Sequence, residues 1–324
     1  MQWRSVFYPP QDYSYFAQPP AFEAANFVGR LNVLKAAWMA DAATLAYARS
    51  GPARIVAAQL GDILQRAGFM HWDLLGDWSG GSTATQAYFA YTNEFAVLTF
   101  RGTEKDDWRD MAADLAAWLV PVDESGAGGK TIFDMSVVAA LLEPAAPAVH
   151  YGFQAALSEV WDQAAQLLTE YRAATGNEIF FTGHSLGAAL ATLAIARFNG
   201  GNASLYTFGS PRVGNRAFVA TLRDRASLGH YRLVDNYDLV TRVPPALRWY
   251  SHAANTLYRI EAGGGIRDCT ADPGAESGDV AELTRDAQCL MEMRFPIDLA
   301  GKPPEDLYDH SPGCYCNRIW NAVK

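Results

Sequence analysis

The sequence predicts an α/β fold: a mostly parallel central sheet, helices on both faces and an N-terminal helical layer. Three observations lead there. Apolar runs of strand length alternate with helix-periodic segments along the chain. One of these runs passes directly into a helix through "GHSLG", residues Gly183 to Gly187. The 324 residues, 50% hydrophobic and 19% charged, suffice for one large core.

The elements follow in order. Phe22, Ala25, Val28, Leu31, Leu34, Trp38 and Ala42 recur at three- or four-residue steps, which predicts a helix over Phe22–Arg49. A second helix is expected over Pro52–Ala67. "TQAYFAYTNEFAVLTFRGT" reads as a hairpin turning at Thr92-Asn93-Glu94. Trp108, Met111, Ala112, Leu115 and Trp118 form a helical stripe. The glycine-rich "ESGAGGK" and the apolar "TIFDMSVVAALL" come next. "YGFQAALSEVWDQAAQLLTEYRA" reads as one long helix. "ASLYTFGS" is a buried strand, and a short helix is expected near Arg216–Arg223. "HYRLVDNYDLVTRVPP" starts as a strand and ends as a loop; "WYSHAANTLYRI" is a further strand. Gly263 to Gly278 reads as loop. No linker or repeat interrupts the pattern, so residues 1–324 are read as one domain.

Composition excludes several classes. The net charge of −9 is spread along the chain with no basic run, which argues against nucleic-acid binding. No stretch has the apolar length of a membrane span. The first residues, "MQWRSVFYPPQDYSYF", lack a basic start followed by an apolar run, so they are not read as a Sec signal. The chain either stays in the cell or starts after a removed leader, and the sequence leaves both open. Cys269, Cys289, Cys314 and Cys316 all lie late. A Cys269–Cys289 bridge and reduced thiols are equally compatible with this spacing. His310 with Cys314 and Cys316 does not have zinc spacing.

The chemistry centres on Ser185. A turn from strand straight into helix leaves little room, so Gly183 and Gly187 stand where side chains would clash. Ser185 is expected in a strained, exposed conformation. The N–H of Leu186 then lies at a helix N-terminus, where partial positive charge favours an anion. A lone serine is a poor nucleophile and needs a base and an orienting acid, which follow it in the order Ser, acid, His. His71, His150, His184 and His230 come too early. His252 reads as a packed strand histidine. His310, in the polar loop "YDHSPGCY", is the better base. Asp235 and Asp238 compete as the acid; Asp238, just past the carboxyl end of its strand, leads. "LTFRGTE" offers a second oxyanion donor at Thr103, with Gly102 permitting close backbone approach.

These segments carry a resemblance. "LTFRGTE", "VHYGFQAAL", "FFTGHSLGAALATLA", "LYTFGSPRVGN", "VDNYDLVTRVPP", "YSHAANTLY" and "DHSPGCY" stand in the order found in class 3 lipases, the fungal-type triacylglycerol lipases of the α/β-hydrolase fold. The resemblance implies Ser185 as nucleophile, Asp238 as acid and His310 as base, with Thr103 and Leu186 as oxyanion donors. It implies a serine hydrolase of acylglycerol or fatty-acyl esters, working through an acyl-enzyme with no metal or organic cofactor. Phospholipase A1, a short-chain esterase and a catalytically silent binding protein are the alternatives. A lipid or acyl-ester substrate and a transient lipid-surface contact are the expected partners. Residues 104–148, longer than the corresponding gap in compact fungal members, are expected to supply a lid or insertion.

Overall fold

The computed structural model describes residues 13–17, 31–47, 57–78, 85–102, 119–122, 146–246, 249–253, 255–271, 284 and 308–323. In chain order the main elements are α1 (Val33–Leu45), α2 (Ala57–Arg66), β1 (His71–Gly76), β2 (Gln86–Tyr91), β3 (Phe95–Phe100), β4 (Leu119–Pro121) and β5 (Ala148–His150). They continue with α3 (Tyr151–Ser158), α4 (Trp161–Thr175), β6 (Glu178–His184), α5 (Leu186–Arg197), β7 (Ala203–Phe208), β8 (Gly214–Asn215) and α6 (Arg216–Arg225). The last are β9 (Gly229–Asp235), β10 (Tyr250–Ser251), β11 (Leu257–Ile260), β12 (Ile266–Asp268) and α7 (Pro312–Ala322).

The main sheet has the order β1-β2-β3-β6-β7-β9-β11-β12. Its centre, from β3 to β11, is parallel, and antiparallel pairs close both edges. A smaller antiparallel sheet runs β10-β8-β5-β4. Parallel central strands must be apolar on both faces, and β6 shows why. Ile179 and Phe181 join the layer containing α3, α4, α5 and α6, while Phe180 joins that of α1, α2 and α7. Truncating Phe181 to alanine would cost about 3–5 kcal/mol.

The hairpin stands where the sequence puts it, with Thr92 and Phe95 closing its turn. Helix α1 begins at Asn32, whose side chain accepts from the N–H of Lys35 at 3.0 Å. Every residue from Ala36 to Leu45 is buried, because α1 lies between β6 and α7. The helix expected there is present, and from Ala36 onward it is buried on every side. Residues 22–30 and 48–49 of that expected helix, and 52–56 of the next, lie outside the described residues.

Three expectations are corrected, and two elements are new. The long helix over 151–173 is two helices. The Thr85 hydroxyl donates to the Ala156 carbonyl, and Glu159 accepts from the Thr85 N–H, so helical bonding is interrupted before Val160. "WYSHAANTLYRI" supplies two short strands, one in each sheet. Residues 266–268, expected as loop, pair with β11. Strand β1 and helix α7 were not anticipated. Helix α7 buries Tyr315, Cys316 and Ile319.

One buried carboxylate joins distant parts of the helical layer. Asp41 on α1 accepts from Tyr13 Oη at 2.5 Å, from the Phe16 N–H at 2.6 Å and from Trp320 Nε1 at 3.1 Å. Burial pushes its carboxyl up to about 6, against the pull of these donors. No helix among the described residues is long and apolar enough to cross a membrane.

Candidate active site

The site lies at the carboxyl ends of β6, β7 and β9. Ser185 stands between β6 and α5 with φ 58° and ψ −128°, a left-handed conformation that costs a non-glycine residue about 1–3 kcal/mol. The packing around it allows no looser turn. A Cβ on Gly183 would lie 2.3 Å from the Gly187 carbonyl, and one on Gly187 would lie 2.2 Å from the Phe100 carbonyl oxygen. Ser185 donates its N–H to Phe208 O at 3.0 Å, and its own carbonyl accepts from Ala188. Leu186 opens α5, so its N–H has no acceptor within the helix.

The sequence predicted an exposed serine. Ser185 is instead 2% exposed, and its Oγ makes no hydrogen bond among the described residues. The Phe208 carbonyl is bonded to the backbone of the turn, and the His310 ring packs on the preceding residue, His184, at 4.5 Å between centroids.

His310 and Asp238 are brought together from 72 residues apart. His310 Nδ1 lies 2.8 Å from Asp238 Oδ2 and 3.0 Å from Oδ1. A carboxylate in such a contact accepts, so Nδ1 carries the proton and Nε2 is the basic nitrogen. Asp238 has two further donors: the Val240 N–H on Oδ1 at 2.9 Å and the Tyr315 hydroxyl on Oδ2 at 2.7 Å. Three donors fix the carboxylate in place. The approach requires Gly209. At φ 60°, a Cβ there would lie 2.7 Å from Asp238 Oδ2 and 2.9 Å from His310 Nδ1.

His184 faces away from the serine hydroxyl chemistry. Its Nε2 donates to His310 O at 2.7 Å, and its Nδ1 accepts from the Tyr47 hydroxyl at 2.9 Å. Burial, then the neighbouring His310, holds it well below the usual histidine range, so it is neutral. Gly102 makes room for this contact, since a Cβ would fall 1.8 Å from Tyr47 Oη and 2.6 Å from His184 O.

The rejected candidates have other partners. His252 Nε2 donates to Thr241 O at 2.7 Å. Asp235 pairs with Arg318 rather than with a histidine. Thr103 lies outside the described residues, as do 104–118 and 123–145 of the expected lid region and Cys289. Cys269, Cys314 and Cys316 are buried free thiols, and Cys316 Sγ lies 2.9 Å from Thr44 Oγ1. Sequence reasoning missed Tyr47, Gly209 and Tyr315. Gly209 and Tyr315 lie inside quoted segments, but neither spacing nor residue type says that they touch Asp238.

A strained serine on a strand-to-helix turn, with an aspartate–histidine pair beside it on a mostly parallel sheet, defines the α/β-hydrolase class of fold. Residues 97–248 match the family Lipase (class 3). "Secreted mono- and diacylglycerol lipase 1" of Fusarium solani is 43% identical over 112 residues, 33% of this chain and 32% of the relative. "Secreted mono- and diacylglycerol lipase A" of Penicillium cyclopium is 33% identical over 205 residues, 61% of this chain and 59% of the relative. The chain thus spans less than two thirds of the length of these curated relatives. The structure of the mono- and diacylglycerol lipase from Aspergillus oryzae superposes with a TM-score of 0.55 at 22% identity, covering 78% of this chain and 92% of that one. These matches support a class 3, fungal-type lipase relationship.

Proposed function

We propose that this protein is a serine carboxylic ester hydrolase of the lipase type, acting on acylglycerol or fatty-acyl esters. The observation that carries the reading is the buried Asp238–His310 hydrogen bond in the same corner as the strained Ser185. The named activities of the two curated relatives point to partial acylglycerols as the substrate class.

In this mechanism Ser185 Oγ attacks the acyl carbonyl while His310 Nε2 takes the serine proton. Asp238 keeps Nδ1 protonated and stabilises the imidazolium. The negative charge on the carbonyl oxygen is received by the Leu186 N–H, at the positive end of α5, and by Thr103. Collapse of the intermediate expels the alcohol, which takes the proton from His310, and leaves Ser185 acylated. Water then gives a proton to His310 and attacks the acyl carbon; as the bond to Ser185 Oγ breaks, His310 returns the proton to Oγ, which frees the acid and restores the serine.

A p-nitrophenyl ester series of increasing acyl length tests the reading. The expected result is hydrolysis by the wild type that rises beyond acetate and is abolished in a folded Ser185→Ala variant. Absence of hydrolysis at every chain length, with mono- and diacylglycerols also untouched, would overturn it.

A further inference from the structure

We infer that Arg318 is a positioning residue for the Asp238–His310 pair: its guanidinium bridges Asp235 and Asp309, clamping the turn that carries Asp238 to the turn that carries His310. The inference rests on the catalytic reading above. It concerns a group that touches neither the serine nor the histidine.

Two tight turns face each other. In the first, Asp238 donates its N–H back to Asp235 O at 2.8 Å, with Asn236 in a left-handed conformation at φ 37°. In the second, Ser311 donates its N–H to Tyr308 O at 2.9 Å, with His310 between them. Asp309 joins the two. Its Oδ2 accepts from Asn236 Nδ2 at 2.8 Å and from the Tyr237 N–H at 3.4 Å, and its Oδ1 accepts from Arg318 Nη1 at 3.0 Å. Arg318 also donates to Asp235 Oδ1. Tyr315, three residues earlier on the same face of α7, accepts from the Asp235 N–H at 2.9 Å and donates to Asp238. One helix face thus holds both ends of the acid's turn and the residue before the base.

Two carboxylates share one guanidinium here, and Asp235 is fully buried. Such an arrangement is a poor source of net stability, because removing the charges from water costs as much as their attraction returns. Its distinguishing property is geometry. One nitrogen, Arg318 Nη1, donates to both carboxylates at once, and the stiff planar head at the end of the arginine stem holds it at a reach that the shorter, freely rotating lysine ammonium matches only in part. Misplacing a base by about 1 Å costs roughly 100-fold in turnover.

The test compares Arg318→Lys, Arg318→Met and the double variant Arg318→Met with Asp235→Asn, which removes the buried charge left behind. Steady-state ester hydrolysis is measured beside the far-downfield proton resonance of a histidine N–H bonded to a carboxylate. That resonance is assigned by its loss in His310→Asn. The expected result is a kcat lowered about 100-fold in Arg318→Met and in the double variant. KM stays within about threefold, the resonance is broadened or lost, and Arg318→Lys falls in between. A folded double variant with wild-type kcat and an intact resonance would overturn the inference, since Arg318 would then serve only to neutralise Asp235. The resonance separates the two claims. A wild type without ester hydrolysis, whose resonance still depends on Arg318, would sink the catalytic reading and leave the clamp standing.

Discussion

Asp238 and His310 meet at 2.8 Å with neither residue more than 2% exposed, and the carboxylate's hydrogen-bond partners among the described residues are donors. Asp238→Asn therefore places an amide where only acceptors fit. Either the Nδ1 proton of His310 is lost to the other nitrogen, or the amide faces a donor. Turnover is expected to fall about 10⁴-fold with a modest change in KM. Steady-state kinetics checks this, and a loss under tenfold would remove Asp238 from the mechanism.

Histidine choice is a separable question. His310→Ala is expected to lose several orders of magnitude in kcat. His252→Ala, which forfeits a bond to the Thr241 carbonyl, is expected to lose stability by about 1–3 kcal/mol with little change in kcat. Paired denaturant titrations and kinetics distinguish them; exchanged phenotypes would contradict the assignment.

Gly209→Ala tests the close approach behind the pair. The new methyl meets Asp238 Oδ2 and His310 Nδ1, at a positive φ that alanine resists. Activity is expected to fall at least 100-fold in protein that still folds. Wild-type kcat in this variant would show that the pair is free to shift.

His184 gives a pH dependence of known sign. Its folded pKa is depressed by burial and by His310, so the unfolded chain takes up a proton below about 6.5 that the folded chain refuses. The stability contributed by its neutral form is present above that pH and is lost as pH falls. Relative to His184→Gln, the wild type should lose about 1.4 kcal/mol per pH unit below 6.5, read from chemical denaturation at several pH values. A constant difference between pH 7 and 5 would show that His184 titrates normally.

The legible parts of this molecule are those where local pattern and tertiary environment agree. The strand formers around Thr92–Glu94 make a hairpin in any setting that covers them, and Gly183 and Gly187 announce the crossing of β6, α5 and β3. Helix α1 was legible as a helix but not in its burial, because the periodicity cannot show that α7 covers its outer face. The break between α3 and α4 depends on Thr85, far away in sequence. The burial of Ser185 and the convergence of Tyr315, Arg318 and Asp309 on the acid turn are likewise products of distant packing. Position just past the carboxyl end of the strand ranked Asp238 above Asp235; the partners of each, His310 and Arg318, appear only in three dimensions.

The central claim is that Ser185 carries the acyl group between two half-reactions. Rapid mixing with a slow-deacylating p-nitrophenyl ester, followed by acid quench and peptide mass spectrometry, reads it directly. The account predicts a burst of one nitrophenolate per chain and an acyl adduct on the peptide containing Ser185, both lost in Ser185→Ala. A burst whose adduct lies on another residue, or steady hydrolysis at wild-type rate by folded Ser185→Ala, would contradict it.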